Sequence, residues 1–339
     1  MPTIAENGPL MNGEDIERLA STQSWTDDIP ICQQTGVGTH TNQLYRRNGQ
    51  RQELHSFEDK SFHFKSTDDT FFYGLFDGHE GSSASNFVAQ HLPAEFLLGQ
   101  ITNQDMSDDE MRVHFQSAFE TLEKEYFQSI ADSLAEKAAL ELHIQGIPTL
   151  NAYQEFPEIM DRLKTKKNEV SAGTAVVVAL IHCNRLHVAN VGDSKAILCR
   201  TDPSDPKSFK ASQLSTDHDL NNENELSRLS ALGLEVEKLR QRQKIGNLSI
   251  TRCIGNYSVK GAYKDFDDLC AAIDEPVIAE PSIRSMPLDE SCQFLVLASG
   301  SIFQALEDAT GSRQVNSDLV RMVAEEFKTQ STLTGKDSS

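Results

Sequence analysis

Two hydrophobic periodicities take turns along the chain. Phe71 to Phe76 is an apolar and aromatic run that stops at Asp77-Gly78-His79-Glu80-Gly81. That reads as a buried strand followed by a turn. Ser82 to Ser85 then opens a helix, with Phe87, Val88, His91, Leu92 and Phe96 at helical spacing. The same spacing resumes at Asp108, through Met111, Phe115, Phe119, Leu122 and Phe127, and predicts helix as far as Leu140. Pro148 and Pro157 interrupt it, and a further helix is expected over 158–168.

Three β-type runs follow at 173–180, 185–191 and 195–199, separated by His182-Cys183-Asn184 and by Gly192-Asp193. Such short connections predict an antiparallel meander of three strands. An amphipathic helix over 224–232 stops at Gly233. A late strand, 293–298, leads through Ser299-Gly300-Ser301 into a helix at 302–309. Helices lie between groups of strands rather than in strict alternation, so the fold class is α+β, not a doubly wound parallel sheet.

Composition narrows the partners. The 339 residues carry 31 Lys and Arg against 51 Asp and Glu, a formal charge of −20. Such an acidic chain is a poor partner for nucleic acid or an anionic membrane surface. The longest apolar run, Ala175 to Ile181, is far short of the roughly 20 residues of a membrane span. The six cysteines form no C-x-x-C pair and read as reduced, mostly buried thiols of a cytosolic or nuclear protein, and a cytoplasmic location is expected.

Four segments carry candidate chemistry. At Asp77-Gly78-His79, a carboxylate at a strand end beside an exposed carbonyl suits a hard cation such as Mg²⁺ or Mn²⁺. His79 has the chemistry to protonate a leaving oxygen. The same residues also suit an ordinary Asp-Gly turn beside a helix cap. Asp193, in the turn of Asn190-Val191-Gly192-Asp193-Ser194, either joins a metal site or bonds its own backbone. Thr216-Asp217-His218-Asp219 lies before the 224–232 helix, and capping explains that polar cluster better than ligation. The fourth segment is Leu248 to Asn256.

In order and spacing, with Ser171-Ala172-Gly173-Thr174-Ala175 between the first two, these segments resemble the metal-dependent serine/threonine phosphatases of the protein phosphatase 2C (PPM) type. That family's run is D-G-H-x-G, S-G-[ST]-T-A, N-x-G-D-S-R, D-H-x-P and S-R-x-[LI]-G-D. The resemblance implies a sandwich of two antiparallel β-sheets flanked by helices, with a two-metal centre at one end. It assigns Asp77, Gly78 and Asp193 to an incomplete metal site and leaves His79 as a vestigial catalytic residue. The family's phosphoryl-binding Arg aligns with Leu44 and its acidic pair with Asn48-Gly49, although Glu53, Glu58 and Asp59 lie near enough to substitute. A further ligand, the Asp of L-A-[CS]-D-G, aligns with Gly300. So few carboxylates imply either no metal or weakly bound Mg²⁺ or Mn²⁺.

Other segments are not general to the family: Ser24 to Pro30, Asn86 to Gln90, Leu134 to Ala138, the 153–170 insertion and Ile278 to Pro281. They resemble the family's phosphatase-like adaptors, which bind and activate transforming-growth-factor-β-activated kinase. The resemblance implies a pseudophosphatase that scaffolds kinase signalling and docks signalling proteins of the inhibitor-of-apoptosis type. The alternative is an active Mg²⁺/Mn²⁺-dependent phosphatase. The expected organisation is a flexible lead-in (1–23), a phosphatase-like domain (24–330) lacking its last C-terminal elements, and a disordered tail (331–339).

Overall fold

The computed structural model describes residues 58–67, 69–98, 106–202 and 205–334. The expected lead-in, Ser24 to Pro30, Leu44 and Asn48-Gly49 lie outside these residues.

One sheet runs in the order β1 (Lys60–Thr67), β2 (Thr70–His79), β3 (Gly173–His182), β4 (Arg185–Val191) and β8 (Ser282–Pro287). The two-residue β7 (Ile254–Gly255) pairs with the start of β3. The other sheet has the order β6 (Asp205–Gln213), β5 (Lys195–Asp202) and β9 (Cys292–Ala298). Every ladder in both sheets is antiparallel.

The unbroken apolar run of β3 follows from its position between two buried faces. Val176, Val178 and Leu180, with Phe72 and Phe76 of β2, face α1 (Ser83–Leu98) and α2 (Asp108–Ser129). There they meet Val88, Leu92, Phe115 and Phe119. Val177 and Ala179 face the second sheet and pack with Ala196 and Leu198. The far side of that sheet, at Ile197 and Cys199, is covered by Phe303 of α9 (Gly300–Thr310) and Val320 of α10 (Val315–Thr334). The result is the expected sandwich of two antiparallel sheets between helical layers.

The predicted three-strand meander is corrected. β3 and β4 form a hairpin, but β5 leaves for the second sheet. Gly192, at φ 91°, turns the chain there. β5 is apolar on both faces and becomes the middle strand of its own sheet, a placement that connection length does not encode.

The helical pattern from Asp108 is also two helices rather than one. α2 opens on a capping box, with Ser107 and Glu110 each satisfying the other's backbone N–H. It ends where Ser129 Oγ donates to the Tyr126 carbonyl at 2.7 Å, and α3 (Ala131–His143) begins after Ile130. α4 (Thr149–Glu155) and α5 (Pro157–Ser171) complete the insertion.

Between β6 and β8 the chain builds a lobe with its own apolar centre, including Leu226, Leu229, Leu239, Ile250 and Leu269. It contains α6 (Glu223–Ala231), α7 (Val236–Arg242) and α8 (Tyr257–Lys260). Of the five described cysteines only Cys199 and Cys253 are buried; Cys183 and Cys270 are exposed, against expectation. Among the described residues no helix is long and apolar enough to cross a membrane.

Candidate metal centre

Strand register brings the sequence motifs together. Across the β2–β3 ladder Asp77 stands opposite Ala175, Gly78 opposite Thr174 and His79 opposite Gly173. β7 closes on the same end of β3 at Gly173 and Thr174. Asp193 follows β4 in the crossing to the second sheet. At this end lies a cavity of about 660 Å³ whose lining includes Asp77, His79, Glu80, Asp193, Asp217, Asp219, Gly300 and Glu307. Gly78 does not line it.

Gly78 instead has a role in the wall. A Cβ on it would lie 2.4 Å from the Glu58 carbonyl oxygen, so only glycine lets that segment approach. Ser85 Oγ donates to the same carbonyl at 2.5 Å. Asp59 is thereby held against β2. Its carboxyl hydrogen-bonds the Asp77 carboxyl and accepts the Gly78 N–H. Asn48-Gly49, where alignment puts the family's acidic pair, lies outside the described residues; among the described residues Asp59 is the upstream acid that reaches Asp77.

Two carboxyls in contact cannot both ionise cheaply. Burial first, then the charges of Asp59 and Asp193, push Asp77 up to about 7; the Gly300 N–H opposes this. Gly300 is the first residue of α9, so that donor is one of the helix's unpaired N-terminal amides. Burial also raises Asp193, with its own backbone N–H opposing and Asp217 and Asp219 reinforcing the shift.

Gly300 occupies the position where the family motif has a ligand Asp. A Cβ there would fall 2.5 Å from Asp193 Oδ2. The Asp193 carboxylate fills the space beside the Gly300 Cα that a side chain would need.

His79 lines the cavity but has its ring bonded elsewhere. Its Nε2 lies 2.6 Å from Asn256 Oδ1. Asn256 Nδ2 donates to the Ser171 carbonyl, so Oδ1 accepts from His79 and also from the Cys253 thiol. Asn256 stands where the motif S-R-x-[LI]-G-D has Asp, so the partner of His79 is neutral.

The capping expected of the 216–219 acids is corrected. Asn222, not an acid of that segment, caps α6 by accepting the Asn224 N–H. His218 is buried, its Nε2 2.8 Å from Ser282 Oγ, and burial lowers it to about 4. Asp217 and Asp219 line the cavity, and Asp217 Oδ2 pairs with Lys195 Nζ at 2.9 Å.

All-oxygen donors suit a hard divalent ion. Yet among the described residues no three His, Cys, Asp or Glu side chains converge to hold a metal. Asp59 and Asp77 could together hold one ion weakly, after losing the proton between them. A two-ion centre does not fit the donors found among the described residues.

Sequence reasoning named Asp59 and Asp219 without placing them, and missed Lys195. The signal for Asp59 was hairpin register: Lys60 pairs with Phe76, so the preceding residue falls beside Asp77.

Residues 35–335 match the family model described as Protein phosphatase 2C. A probable protein phosphatase 2C 2 from Paramecium tetraurelia is 29% identical over 251 residues, 74% of this chain and 69% of that protein. The probable protein phosphatase 2C 43 of Arabidopsis thaliana is 26% identical over 309 residues, 89% of this chain and 62% of that one. Among solved structures, a C. elegans sex-determining protein superposes with a TM-score of 0.47 at 18% identity, covering 80% of this chain and 53% of its own. The match over most of its length means that this chain belongs to the protein phosphatase 2C family, whose members are metal-dependent serine/threonine phosphatases.

Proposed function

We propose that this chain is a pseudophosphatase adaptor. It keeps the phosphatase fold, turns over no phosphoester, and serves in the cytoplasm as a scaffold that helps activate transforming-growth-factor-β-activated kinase. It would also dock signalling proteins of the inhibitor-of-apoptosis type. The observation that supports loss of catalysis is at Gly300. A metal-ligand position of the family has no side chain, and the Asp193 carboxylate lies against its Cα. Two divalent ions bridged by an attacking water need more converging carboxylates than Asp59 and Asp77 supply. The adaptor role is supported by the segments that depart from the general family pattern, such as Asn86 to Gln90 and the insertion that forms α4 and α5.

One observation favours the second reading, an active Mg²⁺/Mn²⁺-dependent phosphatase: Asp59 stands against Asp77 and restores one acid that alignment had lost. Phosphopeptide hydrolysis at saturating Mn²⁺, run beside binding of the purified kinase, separates the two. The expected result is no turnover together with kinase binding and increased kinase autophosphorylation. Metal-dependent release of phosphate would overturn the pseudophosphatase reading, and a kinase that neither binds nor responds would overturn the adaptor role.

A further inference from the structure

We infer that Cys183 is a reactive thiol, activated by His182 and open to modification by low-molecular-weight disulfides.

Cys183 and Asn184 form the tip of the β3–β4 hairpin, and both have positive φ, 48° and 59°. A two-residue turn of this kind matches the twist of the strands but favours glycine or asparagine, so a cysteine there carries backbone strain. The turn is pinned on both sides. The Cys183 N–H donates to the Asp69 carbonyl at 3.3 Å, and the Leu288 N–H donates to the Asn184 carbonyl at 2.9 Å. The thiol itself is exposed.

The residue before it is not. His182 is 5% exposed and stands opposite Thr70 across the β2–β3 ladder. Buried Thr70 places its Oγ1 2.9 Å from His182 Nδ1, and Cys183 Sγ lies 3.5 Å from His182 Nε2. A hydroxyl oxygen that accepts from Nδ1–H selects the tautomer with its lone pair at Nε2, facing the thiol. When Nε2 takes the thiol proton, Thr70 still accepts from Nδ1–H, and an imidazolium stands beside the thiolate. Nucleophile, base and orienting hydroxyl thus come together from β2, β3 and the turn, which is the arrangement that activates a cysteine. Cys270 is also exposed but differently placed: its thiol donates to the Asp267 carbonyl at 3.4 Å, an acceptor that leaves the proton on sulfur.

The step is thiol–disulfide exchange. The Cys183 thiolate attacks one sulfur of the small disulfide, a new S–S bond forms and the old one breaks. The Cys183 sulfur is oxidised to the disulfide level. The released half is reduced to a thiol and takes its proton from the His182 imidazolium. The site lies at the far end of β3 from Gly173, which pairs with His79 at the acidic cavity. The inference therefore stands apart from the question of phosphatase activity.

The test is dipyridyl disulfide, an uncharged probe, added to the native chain at pH 7. Thiopyridone release is followed by absorbance and the modified cysteines are located by peptide mass. Cys183 should react first, about tenfold faster than Cys270. His182→Gln should slow Cys183 by about the same factor and leave Cys270 unchanged. Thr70→Val should slow it too, and Thr70→Ser, which keeps the hydroxyl, should restore the rate. Circular dichroism checks each variant for folding, and the Thr70 pair decides the matter if His182→Gln misfolds. Equal rates at Cys183 and Cys270 in the wild type, or a Cys183 rate that the folded variants leave unchanged, would overturn the inference.

Discussion

The contact between Asp59 and Asp77 makes a quantitative claim about stability. Burial and the neighbouring charges of Asp59 and Asp193 raise Asp77 from an ordinary 3.8 to about 7. The folded chain therefore holds a proton that the unfolded chain releases near pH 4. Such a group costs nothing while both states are protonated, and its cost grows as pH rises to about 7. About three pH units at 1.36 kcal/mol each set a ceiling of about 4 kcal/mol. The proton is shared with Asp59, and the cavity is open to water, so about 2 kcal/mol is the expected effect. Asp77→Asn removes the charge, keeps the shape, and can still accept the Gly300 N–H and donate to Asp59. Urea unfolding with chelator present, at pH 5 and pH 8, measures it. The advantage of Asp77→Asn over wild type should widen by about 1 kcal/mol between the two pH values, since part of the cost is already present at pH 5. An equal gap at both, or a wild type that is the more stable at pH 8, would refute the reasoning.

Other outcomes follow from neighbouring geometry. Gly300→Asp alone should yield no phosphatase activity and should cost about 1–3 kcal/mol, because its Cβ meets the Asp193 carboxylate; recovered turnover in a phosphopeptide assay would contradict this. Glu225 is 1% exposed; burial would raise it, but Arg252 and Arg228 outweigh that and hold it near 2. Its contribution is complete above about pH 4.5 and is lost as pH falls toward 2, so Glu225→Gln should flatten that acid limb. It should also cost about 3 kcal/mol at pH 7 by urea titration, since it strands two guanidinium groups. Burial raises Cys253 to about 12 and Cys199 to about 11. Native-state labelling with iodoacetamide at pH 8, read by peptide mass, should modify Cys183 and Cys270 and spare those two.

Much of the fold was legible because its strands announce themselves. The Phe71 to Phe76 run, the valine-rich stretch of β3 and the Gly192-Asp193 turn are local signals, and each appears in the structure as β2, β3 and the crossing after β4. The break at Ile130 was not legible, since the apolar spacing continues through it and the stop is made by a serine hydroxyl on a carbonyl. The path of β5 was not legible either. A short turn permits a meander or a crossing equally, and the choice belongs to what covers Ile197 and Cys199, namely residues of α9 and α10 more than a hundred positions away.

The site divides along the same line. Residue order sufficed to nominate Asp77, His79 and Asp193, and to show Gly300 where the family has an acid. Those are statements about which chemistry is present, and a linear chain holds them. Whether carboxyls touch is a statement about register and packing. Asp59 reaches Asp77 because β1 pairs with β2 and because Gly78 admits the Glu58 carbonyl. Lys195 neutralises Asp217 because the two sheets meet where α9 turns Phe303 over the ammonium. Charge interactions decay over a few ångströms, whereas these partners are separated by tens of residues. Only the folded chain sets those distances, and with them which acids stand together and which are paired with a base.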